Sequence, residues 1–196
     1  MTLNFILYSQ PIQEEWNYTD LYKSTVKNGS LLKVDNYNNE VLISKVSDEL
    51  IEKTIESHID EIESNNYEEE LVPLDGGLRI EHNDLIIEHQ CCSELNDYQN
   101  WEKVLIERSN NWKEIWIGHP TIFYRLTDDK IEFSEYYDDN PASNDITTKM
   151  VFEKADFFDQ LTQSLAELKS FKERVYQIID NGNYENKEIL KLGLIK

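Results

Sequence analysis

From residue 158 to residue 179 apolar side chains recur at three- and four-residue steps: Phe158, Leu161, Leu165, Leu168, Val175 and Ile179, with only Lys172 breaking the stripe. Phe157, Phe171 and Ile178 widen it. That period is the one at which side chains share a face of an α-helix, so the spacing predicts a long C-terminal helix. Asn181-Gly182 marks its end, because a glycine there can take the left-handed conformation that closes the last turn. Residues 185–192 read as one further short helical segment. Ile51, Ile55, Ile59 and Ile62 predict a second helix from about Ser47 to Glu63, with Ser47 as cap and Asp48 and Glu49 facing the positive end of the helix dipole. The other face of that helix is mostly carboxylate. A third, shorter helix follows Asn96-Asp97 and brings Tyr98, Trp101, Val104 and Leu105 to one side; a less periodic one falls near residues 12–25.

The middle of the chain has strand character. Leu78-Arg79-Ile80-Glu81 and Leu85-Ile86-Ile87-Glu88 flank His82-Asn83-Asp84, a polar trio suited to a hairpin turn. Residues 114–117, 121–126 and 130–135 follow as further strands, separated by Gly118-His119-Pro120 and Thr127-Asp128-Asp129. Connections this short favour antiparallel neighbours, since parallel strands need a long crossover. The pattern implies an α+β fold: an antiparallel β-meander of about four to five strands, helices packed on one face, and a long C-terminal helix. Residues 1–196 read as a single domain. Glu63 to Glu70 and Tyr137 to Thr147 are the polar loops.

Charge narrows the choice of function. The chain of 196 residues carries 39 Asp and Glu against 19 Lys and Arg, a formal net charge of −20. Residues 1–70 hold 15 acids and 5 bases, residues 71–150 hold 16 and 7, and residues 151–196 hold 8 and 7, so the acidity belongs to the first three quarters. Such a chain lacks the cations with which proteins neutralise duplex DNA or anionic membranes, so neither direct nucleic-acid binding nor a membrane is expected. Leu, Ile, Val and Phe total 55 residues, or 28 %. That lies above the roughly 20 % below which highly charged chains stay unfolded. Phe5-Ile6-Leu7-Tyr8 is too short, and too poor in preceding bases, for a signal peptide. Cys91 and Cys92, the only cysteines, are adjacent and poorly placed for a disulfide with each other, which fits a reduced, cytoplasmic chain.

Candidate chemistry is sparse. His82, His89, Cys91 and Cys92 fall within eleven residues, but their spacing matches no zinc pattern. If Leu85 to Cys91 were one strand, His89 and Cys91 would share a face while Cys92 turned away. Buried cysteines and hydrogen-bonded histidines near a strand end are the simpler reading. A Cys-His nucleophile has no accompanying oxyanion or base-orienting motif. His58 reads as a boundary histidine and His119 as part of a strand-joining turn. Glu14-Glu15, Glu68-Glu69-Glu70 and Asp138-Asp139 are acid pairs of the kind that 39 acids produce without selection, and Asp75-Gly76-Gly77 reads as a turn, not a phosphate loop. No catalytic residue, metal or cofactor is therefore expected. Trp101, Trp112 and Trp116, with Tyr124, Tyr136 and Tyr137, supply either core or binding anchors.

Leu95-Asn96-Asp97-Tyr98-Gln99-Asn100-Trp101-Glu102, followed by Trp112 and Trp116-Ile117-Gly118-His119-Pro120, resembles small bacterial proteins that act as immunity partners of secreted polymorphic toxins, over roughly residues 78–175. The resemblance implies a non-enzymatic cytoplasmic protein that neutralises a toxin by stoichiometric occlusion. An acidic inhibitor gains association rate and register by presenting carboxylates to the cationic channel of a basic toxin domain. The residues expected to face such a partner are Glu56, Asp60, Glu63, Glu68, Glu69 and Glu70 in one stretch and Asp138 and Asp139 in another. The rival readings are a DNA mimic that blocks nucleic-acid-binding enzymes and a small metal-dependent enzyme using the region from His82 to Cys92.

Overall fold

The computed structural model describes residues 1–8, 40–65 and 73–196, and the side chains of all of these but residues 8, 40 and 60–65. The strands are β1 (Thr2–Tyr8), β2 (Glu40–Leu42), β3 (Gly76–His82), β4 (Leu85–Ile87), β5 (Lys113–Ile115), β6 (Ile122–Leu126), β7 (Lys130–Ser134) and β8 (Thr148–Glu153). The helices are α1 (Asp48–Asn65), α2 (Tyr98–Ile106), α3 (Lys154–Asn181) and α4 (Lys187–Leu194). Among the described residues this is an α+β fold with two four-stranded antiparallel sheets, ordered β2-β1-β3-β4 and β5-β6-β7-β8. The chain divides into two compact units: Met1–Phe5 with Gly76–Ala166, and Ile6–Asp75 with Glu167–Lys196.

In the first unit β5 to β8 form the expected meander, paired in sequence order. β8 is a strand the reading above passed over. Its Met150 and Phe152 are buried while Val151 and Glu153 are exposed, the two-residue alternation of a strand with one wet face. β8 runs directly into α3, whose first half lies on this sheet. Phe157 stacks on Phe152 with ring centroids 5.7 Å apart and meets Phe133 at 5.1 Å; Trp101 of α2 approaches Phe133 at 6.1 Å. Rings of this kind carry much of a small core's burial energy. Phe157, not Phe158, heads the buried stripe, which continues through Leu161 and Leu165. Ser164 donates its hydroxyl to the Leu3 carbonyl at 2.7 Å, tying the helix to β1.

The predicted hairpin is β3–β4, and it belongs to the other sheet. Asn83 and Asp84 both have left-handed backbones, φ 48° and 66°, which a two-residue hairpin turn of matching twist requires. Gly76-Gly77, read as a turn, instead opens β3, and a Cβ on Gly77 would sit 2.5 Å from the His89 Cβ. At the edge, the Tyr136 hydroxyl accepts the Glu88 N–H at 2.9 Å and donates to the Glu88 carbonyl at 3.3 Å, standing in for a neighbouring strand. The Tyr137–Thr147 loop is closed across its base. Glu135 N–H donates to Thr147 O at 2.9 Å, and Tyr137 Oη accepts Thr147 N–H at 2.7 Å.

The second unit contains β2, α1, the second half of α3, and α4. Ile6 and Leu7 of β1 pair with Leu42 and Val41. Ser47 caps α1 as expected, accepting the Leu50 N–H at 3.2 Å, and Ile51 and Ile55 are buried. Arg174 of α3 grips the start of α1, donating to Asp48 Oδ1 at 2.6 Å and to the Val46 carbonyl at 2.7 Å. Leu168, Phe171, Val175 and Ile179 continue the buried stripe of α3. The helix ends at Asn181, but Gly182 does not adopt the left-handed backbone expected of it. Its lack of a side chain matters for space: a Cβ there would lie 2.3 Å from the Tyr184 ring. The helix expected near residues 12–25 lies outside the described residues, as does the Glu14-Glu15 pair.

Gly118, between β5 and β6, combines a left-handed backbone with close backbone neighbours. Its φ is +98°, and an added Cβ would meet the Gln90 and Cys91 carbonyl oxygens at 2.5 Å. Both contacts are backbone and cannot swing away. Gly118→Ala should therefore destabilise the fold by about 1–3 kcal/mol, read as a lowered urea midpoint with unchanged slope. An unchanged midpoint would contradict the packing described for this turn.

Candidate functional site

The described residues among those anticipated as partner-facing belong to both units. Glu56 is exposed on α1 in the second unit, and Asp138 and Asp139 are exposed in the β7–β8 connection of the first. Asp60 and Glu63 are on α1, with side chains outside the described set; Glu68, Glu69 and Glu70 lie outside the described residues altogether. Asp138 approaches the His119 ring, Oδ1 to Nε2 3.6 Å, with both side chains more than half exposed.

The histidine and cysteine region does not converge. Among the described residues no three His, Cys, Asp or Glu side chains are placed to hold a metal ion. β4 stops at Ile87, so residues 88–91 are not the strand that would have aligned His89 with Cys91. The cysteines are exposed, contrary to the expectation of burial, and neither forms a disulfide. The Cys91 thiol donates to the His119 backbone carbonyl at 3.0 Å, so its hydrogen bond goes to the main chain. Cys92 has φ 65°, which turns the chain sharply after the pair. His58 is a boundary histidine as expected, with Nδ1 2.8 Å from the Thr54 carbonyl. The tryptophans divide: Trp101 is core, Trp112 lies under the Arg125 guanidinium at 4.6 Å, and Trp116 is 40 % exposed.

Among the described residues the first unit has two adjoining clefts that share Met1 and His82. One, of 480 Å³, is lined by the outer face of β8 and the start of α3: Val151, Glu153, Asp156, Asp159 and Gln160. The other, of 390 Å³, runs along the β3–β4 hairpin past Glu81, Asp84, Leu85 and Ile86. The first has three carboxylates, the second two, and neither lining includes a Lys or Arg. The arrangement follows from periodicity. Phe152 and Phe157 point into the core, so Val151 and Glu153 on the strand, and Asp156, Asp159 and Gln160 on the helix, fall on the outer side. Asp156 in the first turn also sits favourably at the positive end of the α3 dipole. His82 packs edge-on against Phe152 at 5.3 Å, closing the floor between the clefts.

Two of the five carboxylates have ion-pair partners: Glu81 lies 2.7 Å, Oε1 to Nε, from Arg79, and Glu153 pairs with Lys130. Asp84, Asp156 and Asp159 are exposed and have no cation within ion-pair distance among the described residues. Chemically the clefts offer carboxylates and the His82 imidazole beside exposed apolar side chains, and among the described residues they gather no metal-ligand group. Comparison with protein families, with characterised proteins and with solved structures finds no match to this chain.

Of the cleft residues only His82 was singled out in the sequence, and there as a possible metal ligand; the five carboxylates were not. The acids from residue 153 to 159 sit in the segment whose charge sums to −1, because the seven bases of that segment include five at Lys172 or beyond; averaging over 46 residues hid the local cluster. The usable signal was local: Val151 and Glu153 alternate with two buried residues, and Leu85-Ile86-Ile87 holds more apolar side chains than one buried face of a three-residue strand can take.

Beneath the hairpin lies a buried titratable group. His89 is 3 % exposed, and burial first, then the nearby Arg79 guanidinium, bring its imidazole down from 6.5 to about 4. The unfolded chain takes up this proton near pH 6.5, the folded chain only near pH 4. Stability therefore falls as the pH drops through that window, by up to about 3 kcal/mol from this group. A His89→Gln variant should lose that component, so its urea midpoint should vary less between pH 7 and pH 4.5 than that of the wild type. Parallel decline of the two proteins would show that His89 is not responsible.

Proposed function

We propose that this chain is a non-enzymatic protein-binding protein that engages a cationic protein domain through the acidic clefts, most concretely a cytoplasmic immunity protein that occludes a basic toxin domain in a stoichiometric complex. The observation that carries the reading is the pairing of concavity with unbalanced charge: five carboxylates around two adjoining clefts, three of them without a cationic partner among the described residues, and no Lys or Arg in either lining. Carboxylates presented in this way attract a basic surface over distances of about a Debye length and fix its orientation on arrival. They repel phosphates, in keeping with the expectation that the chain does not bind nucleic acid directly. The resemblance of the segment from Leu95 to Pro120 to immunity partners of polymorphic toxins supports the same class of function. Among the described residues no helix is long and apolar enough to cross a membrane.

The reading is tested with the tagged chain and a toxin domain encoded beside it in the native genome. A one-to-one complex is expected that abolishes the toxin's activity, with an association rate that falls at least about tenfold between about 50 and 300 mM salt. In the Asp84→Asn/Asp156→Asn/Asp159→Asn variant association should be slower and the salt dependence shallower. An association rate indifferent to salt in the wild type, or a variant indistinguishable from it, would overturn the assignment of the clefts as the docking surface.

A further inference from the structure

The clefts are not simply acidic. Leu85 is 43 %, Ile86 36 % and Val151 48 % exposed, and all three line the clefts. Each stands on a strand beside buried residues, Ile87 in β4 and Met150 and Phe152 in β8, so its position is held by the sheet. Exposed apolar side chains held beside carboxylates in a concave surface combine the two components of a recognition site, apolar contact area and charge.

We propose that the occupant is a cationic amphipathic segment of a protein partner, its apolar side chains seated between Leu85, Ile86 and Val151 and its Lys or Arg side chains directed to Asp84, Asp156 and Asp159. This rests on the acidic-cleft reading above and adds the partner's chemistry to it. Charge selects among the candidates for an apolar surface. A second copy of this chain would bring another body of net charge −20 against five carboxylates whose linings hold the Met1 ammonium but no Lys or Arg. An anionic lipid or a nucleic acid would be repelled for the same reason. A purely hydrophilic basic segment would leave Leu85, Ile86 and Val151 in water and gain nothing from them. The occupant that satisfies both components alternates bases with apolar residues. Arg79 and Lys130 already neutralise Glu81 and Glu153, so the cations contributed by the segment are directed to the remaining three acids.

Two synthetic peptides of about twelve residues with equal numbers of lysines test this, one with leucine and one with serine at the remaining positions, titrated calorimetrically against the full chain. The lysine–leucine peptide should bind at least about tenfold more tightly. That advantage should vanish in the Leu85→Ser/Ile86→Ser/Val151→Ser variant. It should persist in Ile189→Ser/Leu192→Ser, which removes exposed apolar surface from α4 instead. All five positions are exposed, and circular dichroism of both variants verifies that the fold is retained. Equal, salt-sensitive affinity for the two peptides would overturn the amphipathic partner and leave the acidic docking surface standing. An advantage that survives the triple substitution would place binding elsewhere and overturn the inference. If neither peptide binds, the inference fails, and the salt dependence of the natural complex decides the acidic-cleft reading separately.

Discussion

The contact on which the first unit depends is the clamp of Phe157 onto Phe133 and Phe152, where β8 passes without a loop into α3. Burying three aromatic rings together, with Trp101 against Phe133, is worth several kcal/mol. It also sets the phase of everything around it. Once Phe152 is inside, strand alternation puts Val151 and Glu153 outside; once Phe157 and Leu161 are inside, helical periodicity puts Asp156 and Asp159 outside. Four of the cleft's defining side chains are thus placed by where three hydrophobic residues must go. A core device and a surface site are the same piece of geometry.

That coupling explains how so acidic a chain can hold a concentrated negative surface. Like charges crowded on one face weaken the folded state, so such a face needs support from elsewhere. Here the support is a packed aromatic core directly beneath, the favourable placement of Asp156 at the start of α3, and the ion pairs that Glu81 and Glu153 make with Arg79 and Lys130. The edge of β4 is handled separately. Tyr136 satisfies the Glu88 backbone just past the end of β4, leaving fewer unpaired main-chain groups there.

The elements that were legible in the sequence are those whose signal is long or redundant. The stripe from Phe157 to Ile179 spans several turns, and the helix after Ser47 has a cap, first-turn acids and spaced isoleucines that all agree. The strands of the meander were legible because turn residues separate them. β1 was read only as an apolar run, since a strand buried on both faces shows no alternation; Leu3, Phe5, Ile6 and Leu7 are all buried. β8 was missed because Thr148–Glu153 merges into α3 without a turn to mark the boundary. The site was less legible than the fold. Asp138 and Asp139 stood out as a run, whereas Asp84, Asp156 and Asp159 come from segments some seventy residues apart and stand out only when their positions are combined.

Taken alone, the sequence determined the fold class, the faces of α1 and α3 and the hairpin at Asn83-Asp84, because each depends on local periodicity or turn chemistry. The tertiary structure decided that the hairpin joins β1 and not the meander, that the cysteines face solvent, and that His82 stands between two acidic clefts. These are properties of which distant segments share a boundary. Periodicity tells a residue whether to point inward or outward, but only the packing of the hairpin beside β8 and α3 determines what else is on the outside with it.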